Sequence, residues 1–496
     1  MQELLLFGGR NYENQNSSAV SDGSGTMRSK YQTLAGNTVK LGIGTFGSKV
    51  LVFLMVRFYT EYLSPADYGT ADLITQTANL LIPLASLGIT DAVFRFAMDR
   101  TEDVSSVFTA GFNIIALGSV VLAVIALFLN VNELADSAWL IAIFMIASNF
   151  HTLCAQFIRA RGEMTLFAVQ GLINTILVIV LNILFLAVFR FGVTGYVLST
   201  AAADVITTCY LVFRARLWRF ISGKPTRALI LRMLRYCVPL IPTAVFWWIT
   251  SVSDRYMITA WIGSAANGVY AVASKLPTIL TVLSSVFMEA WLFSAVTERR
   301  EGSDEHLTFY SSVWRTFLAG MVLSSSGVIA FSRLLVRLLA DEEFFSAWQF
   351  VPVLCLAMVF AAFATFLSSV YVVSKKSGLS FWTAMLGASS NVAFNLLLIP
   401  RIGVMGAAIA TLISYVLVFI IRAMSIRKLM PFSLALSTVA LDVLVLTIQA
   451  AALSLQPRGW VAAQLLCITA LLILNIKPLL LAADKLFGAG RKGANS

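Results

Sequence analysis

Charge is scarce in this chain: Asp, Glu, Lys and Arg make up 12% of its 496 residues, whereas 58% are apolar. No soluble core takes up that much apolar side chain, so a globular aqueous protein is excluded from the start. Histidine is nearly missing, and His151 and His306 lie far apart without cysteine neighbours, so no metal site is expected. The five cysteines (Cys154, Cys209, Cys237, Cys355, Cys467) fall in or beside apolar runs, and an odd number without loop positions excludes a disulfide framework. Also missing are GxxxxGK[ST], HExxH and GxSxG, with the chemistries they serve. One GxGxxG match, Gly42-Ile-Gly44-Thr-Phe-Gly47, lies inside an apolar run without a preceding strand, where glycines serve close helix packing rather than phosphate binding.

What the chain has instead is apolar length. Its mean hydropathy is +0.84, and runs of about 20 residues, each the span of a bilayer core as helix, recur along it. They are continuous and far longer than the alternating segments of about ten residues that build a membrane barrel. Spans are expected near 41–60, 71–90, 108–130, 137–157, 165–189, 194–213, 237–260, 268–293, 312–332, 347–372, 380–399, 403–421, 433–455 and 460–482. The expected fold is therefore an all-α polytopic membrane protein of about fourteen transmembrane helices. Residues 1–36 are the one sizeable polar region and read as a disordered N-terminus; LLLF is too short for a secretory signal core. Residues 1–26 are expected to be dispensable, with translation from Met27 giving an active protein.

Loop charge checks the count, because one span too many or too few would scramble the alternation of basic and non-basic loops. On one side lie Arg10, Arg28, Lys30 and Lys40, then Arg95 and Arg100, then Arg159 and Arg161. The central loop of that side carries Arg214, Arg216, Arg219, Lys224, Arg227, Arg232 and Arg235 with no acid among them. Arg299, Arg300, Lys375, Lys376, Arg422, Arg427, Lys428, Lys477, Lys485, Arg491 and Lys492 complete it, against Arg190, Arg333, Arg337, Arg401 and Arg458 opposite. Both termini are thus expected in the cytoplasm of a multi-pass protein of the cytoplasmic (plasma) membrane. The net charge of +11 is a topology signal rather than a nucleic-acid surface, with acidic lipid headgroups as its further partners.

The halves repeat. Residues 191–200, FGVTGYVLST, match 402–411, IGVMGAAIAT, at an offset of 211, and Arg57 to Gly69 echoes Arg255 to Gly268. Six spans per unit is an even number, so both units enter from the same side and a pseudo-two-fold along the membrane normal is expected, with a substrate site between the units near mid-depth. The expected division is 1–36 N-terminus, 37–213 first lobe, 214–235 basic linker, 236–428 second lobe, and 429–496 two further spans with a tail. Pro83, Pro277 and Pro352 interrupt expected spans, and Trp247, Trp248, Trp261 and Trp291 read as interface anchors or cavity walls. Asp254 and Arg255 sit side by side inside an apolar run, which is costly unless they face a protein interior or a wet cavity.

Several phrases in order, MRSKYQTLAGNTVKLGIGTFGSKVLVFLMVRFYTEYLSPADYG, GITDAVFRF, VPLIP with SDRYMI and NGVYAVASK, FFSAWQFVPVL, YVVSKKS and SNVAFNLLLIPRIGVMGAAIATLISY, span Met27 to Lys428. They resemble the polysaccharide (O-antigen type) flippases of the multidrug/oligosaccharidyl-lipid/polysaccharide exporter superfamily. The resemblance implies two six-helix lobes, a cavity that opens alternately to each side, and translocation of a lipid-diphosphate-linked oligosaccharide for cell-surface polysaccharide export. The partners it implies are that lipid-linked saccharide, membrane lipids and other polysaccharide assembly proteins. A diphosphate headgroup calls for cations inside the spans, and Lys49, Arg57, Arg255 and Lys275 are the candidates. Lys49 lies about 12 Å into the first span, too deep to snorkel easily, whereas Arg57 and Arg255 can also be read as snorkelling outward. Asp72, Asp204, Asp254, Glu289 and Asp442 are the intramembrane acids, each a structural counter-ion or a proton or sodium site. Asp254 and Glu289 lead the ion-coupling candidates, ahead of Asp72 and Asp204; beyond such coupling no cofactor is expected. An exporter of organic cations with the same fold would want acids rather than fixed cations in its cavity. A membrane glycan polymerase or acyltransferase would want paired catalytic residues and a large outer loop.

Reporter fusions test the topology: those near Asp136 and Arg401 should report the outer side and one near Gly223 the cytoplasm. A cytoplasmic signal within 262–267 would break the fourteen-span arrangement.

Overall fold

A computed structural model describes residues 53–99, 101–128, 137–221, 223–297, 304–374 and 376–492. The side chains of some helical residues, Glu289 and His306 among them, fall outside that description, as do Lys49 and the GxGxxG match. In the described residues the fold is all helical: α1 (53–62), α2 (Pro65–Ala85), α3 (Ile89–Ala97), α4 (Val104–Phe128), α5 (Ala138–Ala160), α6 (Met164–Asn182), α7 (Gly192–Arg214), α8 (Arg227–Cys237), α9 (Ile241–Trp261), α10 (Ser264–Lys275), α11 (Thr278–Thr297), α12 (Asp304–Leu339), α13 (Val351–Val373), α14 (Ser377–Ile402), α15 (Val404–Leu429), α16 (Leu436–Leu455) and α17 (Trp460–Lys492). Helices are what a chain with this much apolar sequence must form, because each satisfies its own backbone where no water can.

Eleven stretches are long and apolar enough to cross a membrane, and two bent pairs bring the number to 13 among the described residues. The expected span near 41–60 falls largely outside them. One bent pair is α2 and α3, which meet at 54°. The break is not at Pro83, which stays inside α2, but just beyond it, where Leu87 and Gly88 adopt left-handed backbone. The other pair, α10 and α11, bends by 40° at the interval holding Pro277, because proline cannot supply the amide the helix needs there. Pro352 does not interrupt a span: α13 starts at Val351, and proline is tolerated in a first helical turn.

The chain forms two compact units, Met1–Trp248 and Ile249–Ser496. In the first, α3, α4, α5, α7 and α8 enclose Ile89, Val93, Phe108, Leu153, Phe157, Leu211 and Met233, all essentially out of contact with solvent. In the second, Trp291, Trp314, Phe317, Phe363, Phe366 and Phe419 pack ring on ring from α11, α12, α13 and α15. Trp291 is therefore a core residue and not an interface anchor; its indole N–H donates to Ser369 Oγ at 3.0 Å. Arg422, counted above with the loop charges, likewise lies inside α15, where its guanidinium donates to Ala364 O at 2.6 Å and to Thr383 Oγ1 at 3.1 Å.

The sequence repeat has a local structural counterpart in each unit. Gly192, the first residue of α7, and Gly403, just before α15, correspond in the repeat and have φ of 55° and 63°, a conformation glycine adopts without a Cβ penalty. At the basic loops, Asp103 caps α4 by accepting from the amides of Ser105 at 3.3 Å and Ser106 at 2.9 Å. The Ser106 hydroxyl, then its amide, hold this carboxyl below its usual range. The capping contribution is present at neutral pH and disappears as pH falls through the lowered folded-state value. Glu102 supplies the acid that the central basic segment lacks, meeting Arg232 at 2.7 Å.

Close approach of α4 to α2 depends on one missing methyl group: a Cβ on Gly118 would stand 1.9 Å from the Ala85 carbonyl oxygen. Gly118→Ala should therefore force the helices apart and cost about 1–3 kcal/mol, read as a lower thermal midpoint in detergent. Gly320→Ala on α12, where a Cβ meets nothing within 4 Å, should be neutral or stabilising. Equal midpoints for Gly118→Ala and the parent would refute the packing argument.

Candidate functional site

Among the described residues, each unit buries an ionisable cluster within its apolar helices. In the first unit the cluster joins α5, α6 and α7 around Asp204, which is 7% exposed. Its Oδ1 lies 3.2 Å from His151 Nδ1 and accepts from Asn174 Nδ2 at 2.8 Å, while Oδ2 accepts from the Ser148 hydroxyl. On its far side the imidazole Nε2 is 2.8 Å from Gln170 Oε1, and Asn174 reaches on to Thr207 Oγ1 at 3.4 Å. His151 stands nine residues from the Ala160 end of α5 and Asp204 ten from the Arg214 end of α7, so both lie about 15 Å inside their helices. The His151 side chain keeps 17% exposure.

The second cluster joins α9, α10, α14 and α15. Asp254, 3% exposed, accepts from the Tyr270 hydroxyl at 2.6 Å through Oδ2 and from the Arg255 amide at 2.9 Å through Oδ1. One residue back along α9, the Ser253 hydroxyl donates to Asn391 Oδ1 at 3.0 Å, which also accepts from Asn395 Nδ2 at 2.9 Å. Asn391 Nδ2 in turn reaches Thr411 Oγ1 at 3.3 Å. Polar side chains on α9, α10, α14 and α15 are thus linked in two adjoining hydrogen-bonded groups, one on Asp254 and one on Ser253. Asn395 Oδ1 is buried with no hydrogen-bond partner among the described residues. Among the described residues no three His, Cys, Asp or Glu side chains come together as a transition-metal site would need.

The expected site residues are spread over both units. Arg57 is exposed on α1 in the first unit, while Arg255, 9% exposed, and Lys275 belong to α9 and α10 in the second. Asp72 is buried on α2 at 8% exposure. Asp442 is tied to Asn475 Nδ2 at 2.8 Å, a bond between α16 and α17 that fastens the last two helices to each other. Sequence reasoning missed His151, which it weighed only as a metal ligand; an ionisable side chain inside an expected span was signal enough. It also missed Tyr270, Asn391, Asn395 and Thr411. Asn391 and Asn395 stand four residues apart on α14, on one helix face, a pattern that marks a polar stripe.

The fold and the sequence both have relatives. The succinoglycan biosynthesis transport protein ExoT of Rhizobium meliloti (strain 1021) is 24% identical over 355 residues, covering 70% of this chain and 69% of that protein. The lipid II flippase MurJ in an inward closed conformation superposes with a TM-score of 0.68 at 14% identity, covering 90% of this chain and 100% of that one. An inward-facing multidrug resistance MATE transporter of the MOP superfamily gives 0.62 at 15% identity, covering 77% and 95%. The family model for polysaccharide biosynthesis protein matches residues 34–293, more than half of the chain. On that match the chain belongs to the polysaccharide biosynthesis protein family, and the flippase resemblance in its sequence stands.

Proposed function

We propose that this protein is a transporter, not an enzyme, that carries a lipid-diphosphate-linked oligosaccharide across the cytoplasmic membrane by alternating access, with both termini in the cytoplasm. The observation that carries the reading is the pairing of this family with two ionisable clusters buried in otherwise apolar units. A flippase must shelter a polar headgroup inside a greasy protein and must switch conformation, and buried charges that change partners supply a means for both. Lys49, Arg57, Arg255 and Lys275 are the proposed contacts for the diphosphate. The Asp254 cluster is the proposed coupling site for sodium or a proton, with the Asp204–His151 pair as a second, proton-binding one. A hard cation there would supply charge to balance Asp254.

A fluorescent lipid-diphosphate-sugar probe in proteoliposomes tests the cargo. Reconstituted protein should make the inner-leaflet pool of the probe accessible to a membrane-impermeant reagent added outside; no acceleration over protein-free vesicles would remove the flippase reading.

Four variants separate a phosphate contact from a structural charge. Lys49→Ala and Arg255→Ala should be made at normal levels yet flip poorly, and Lys49→Arg should recover part of the rate because its forked cation still binds phosphate. If Arg255 serves only to balance Asp254, Arg255→Ala should instead fall in abundance and be rescued by adding Asp254→Asn. Full activity in well-expressed Lys49→Ala and Arg255→Ala defeats the cationic-site proposal.

Coupling is read by imposing one gradient at a time on the same vesicles. Asp254→Asn should lose the response to the driving ion, and His151→Gln should blunt the response to a pH gradient. Unchanged responses in both variants would leave the clusters purely structural.

A further inference from the structure

We propose that the end of α12 opposite the basic loops, with the 3-10 segment Glu342–Gln349 and the start of α17, binds the phosphate headgroup of a membrane lipid. The argument begins with charge sidedness. Arginine is rare on this side of the chain, yet Arg333 and Arg337 stand there one helical turn apart on α12, and Arg458 is carried on the turn leading into Trp460. Neither α12 arginine has a carboxylate within ion-pair distance among the described residues, although Asp341, Glu342 and Glu343 follow directly.

Aromatic rings hold the two guanidinium groups instead. The Arg333 carbon Cζ lies 4.9 Å from the ring centre of Trp348, 5.8 Å from that of Trp460 and 5.9 Å from that of Phe345. Arg337 lies 5.4 Å from that of Phe345. Ring faces attract a guanidinium without satisfying its N–H groups as a carboxylate would, and those groups are what matches phosphate oxygens two at a time. Ring contact also lowers the entropy lost on binding, because the long side chains are already held.

These groups surround a cavity of about 250 Å³ lined by Ala330, Arg333, Leu334, Arg337, Phe345 and Trp460. That volume suits a headgroup rather than a whole lipid. The hydrocarbon has its own track beside it: Phe331, Leu334 and Leu338 on α12 are 56%, 51% and 62% exposed and follow one face of the helix. A cationic, aromatic-walled pocket opening onto an apolar stripe matches an amphiphile with a phosphate at its neck, and neither a soluble anion nor a peptide acid supplies both halves. The inference requires that the chain be a membrane protein and does not depend on what it transports.

Two lipids carry that chemistry, a phospholipid of the leaflet and a lipid diphosphate, and the test separates them. Purified full-length protein in uncharged detergent is titrated in native mass spectrometry with dioleoylphosphatidylglycerol, undecaprenyl diphosphate and, as the phosphate-free control, dioleoylglycerol. Wild type should hold the first or the second well above the control. Arg333→Gln/Arg337→Gln should weaken that binding about tenfold or more, and Arg401→Gln should leave it unchanged. Loss confined to undecaprenyl diphosphate assigns the site to a lipid diphosphate, and loss of both assigns it to lipid phosphate at large. Undiminished binding of both lipids by the folded double variant overturns the proposal. A second measurement needs no variant: phosphatidylglycerol and undecaprenyl diphosphate analogues with a photoreactive headgroup should label residues 330–349 or 457–466 of wild type. Labelling by both analogues confined to other peptides would overturn it equally.

Discussion

Everything in this chain follows from the cost of an unmatched polar group where water is scarce. Helices remove that cost for the backbone, but side chains must find partners one by one. Asp204 finds Ser148, His151 and Asn174; Asp254 finds Tyr270 and the Arg255 amide; Asp442 finds Asn475. For each acid at least one partner comes from another stretch of chain, so each of these three ties helices together in one register. Replacing such a cluster by well-packed apolar side chains would often be neutral or stabilising, which makes its presence at mid-helix depth more informative about function than about stability.

The clusters differ in what they can do. Asp442 and Asn475 make a simple strut between α16 and α17, reinforced where the Gln464 amide donates to Gln449 O at 2.9 Å; Gln449 in turn ties α16 to α12, its amide donating to Ser326 O at 3.1 Å and its Oε1 accepting from the Ser326 hydroxyl at 2.8 Å. The cluster around Asp254 joins a carboxylate to the Tyr270 hydroxyl, and that around Asp204 includes an imidazole with an acceptor at each ring nitrogen. An imidazole so placed can carry two protons or, after the Gln170 amide turns over, one. That group touches side chains on α5, α6 and α7 at once, so under the proposed coupling a proton taken up or released there would change hydrogen bonds on three helices.

Apolar run length, the alternation of basic loops and the repeat at 191–200 and 402–411 could be read directly from the residues, because each is a local property or a sum of local properties. Membership of the polysaccharide biosynthesis protein family was legible in the same way, from phrases in fixed order, and so was the polar character of Asp254 and Arg255 within their run. What no local rule contains is which distant side chain an intramembrane charge will meet. His151 and Asp204 lie on α5 and α7, and Tyr270 and Asn391 come to Asp254 and Ser253 from α10 and α14, pairings that only helix packing settles. For the same reason Trp291, an anchor by its position along the chain, lies in the core against Phe366 and Ser369, and Arg422, a loop charge by count, is an interior donor to Ala364 and Thr383. Sequence alone determined that the chain must bury itself in lipid and where it could turn. The tertiary structure decided which charges would share a partner, because that depends on which helix faces touch.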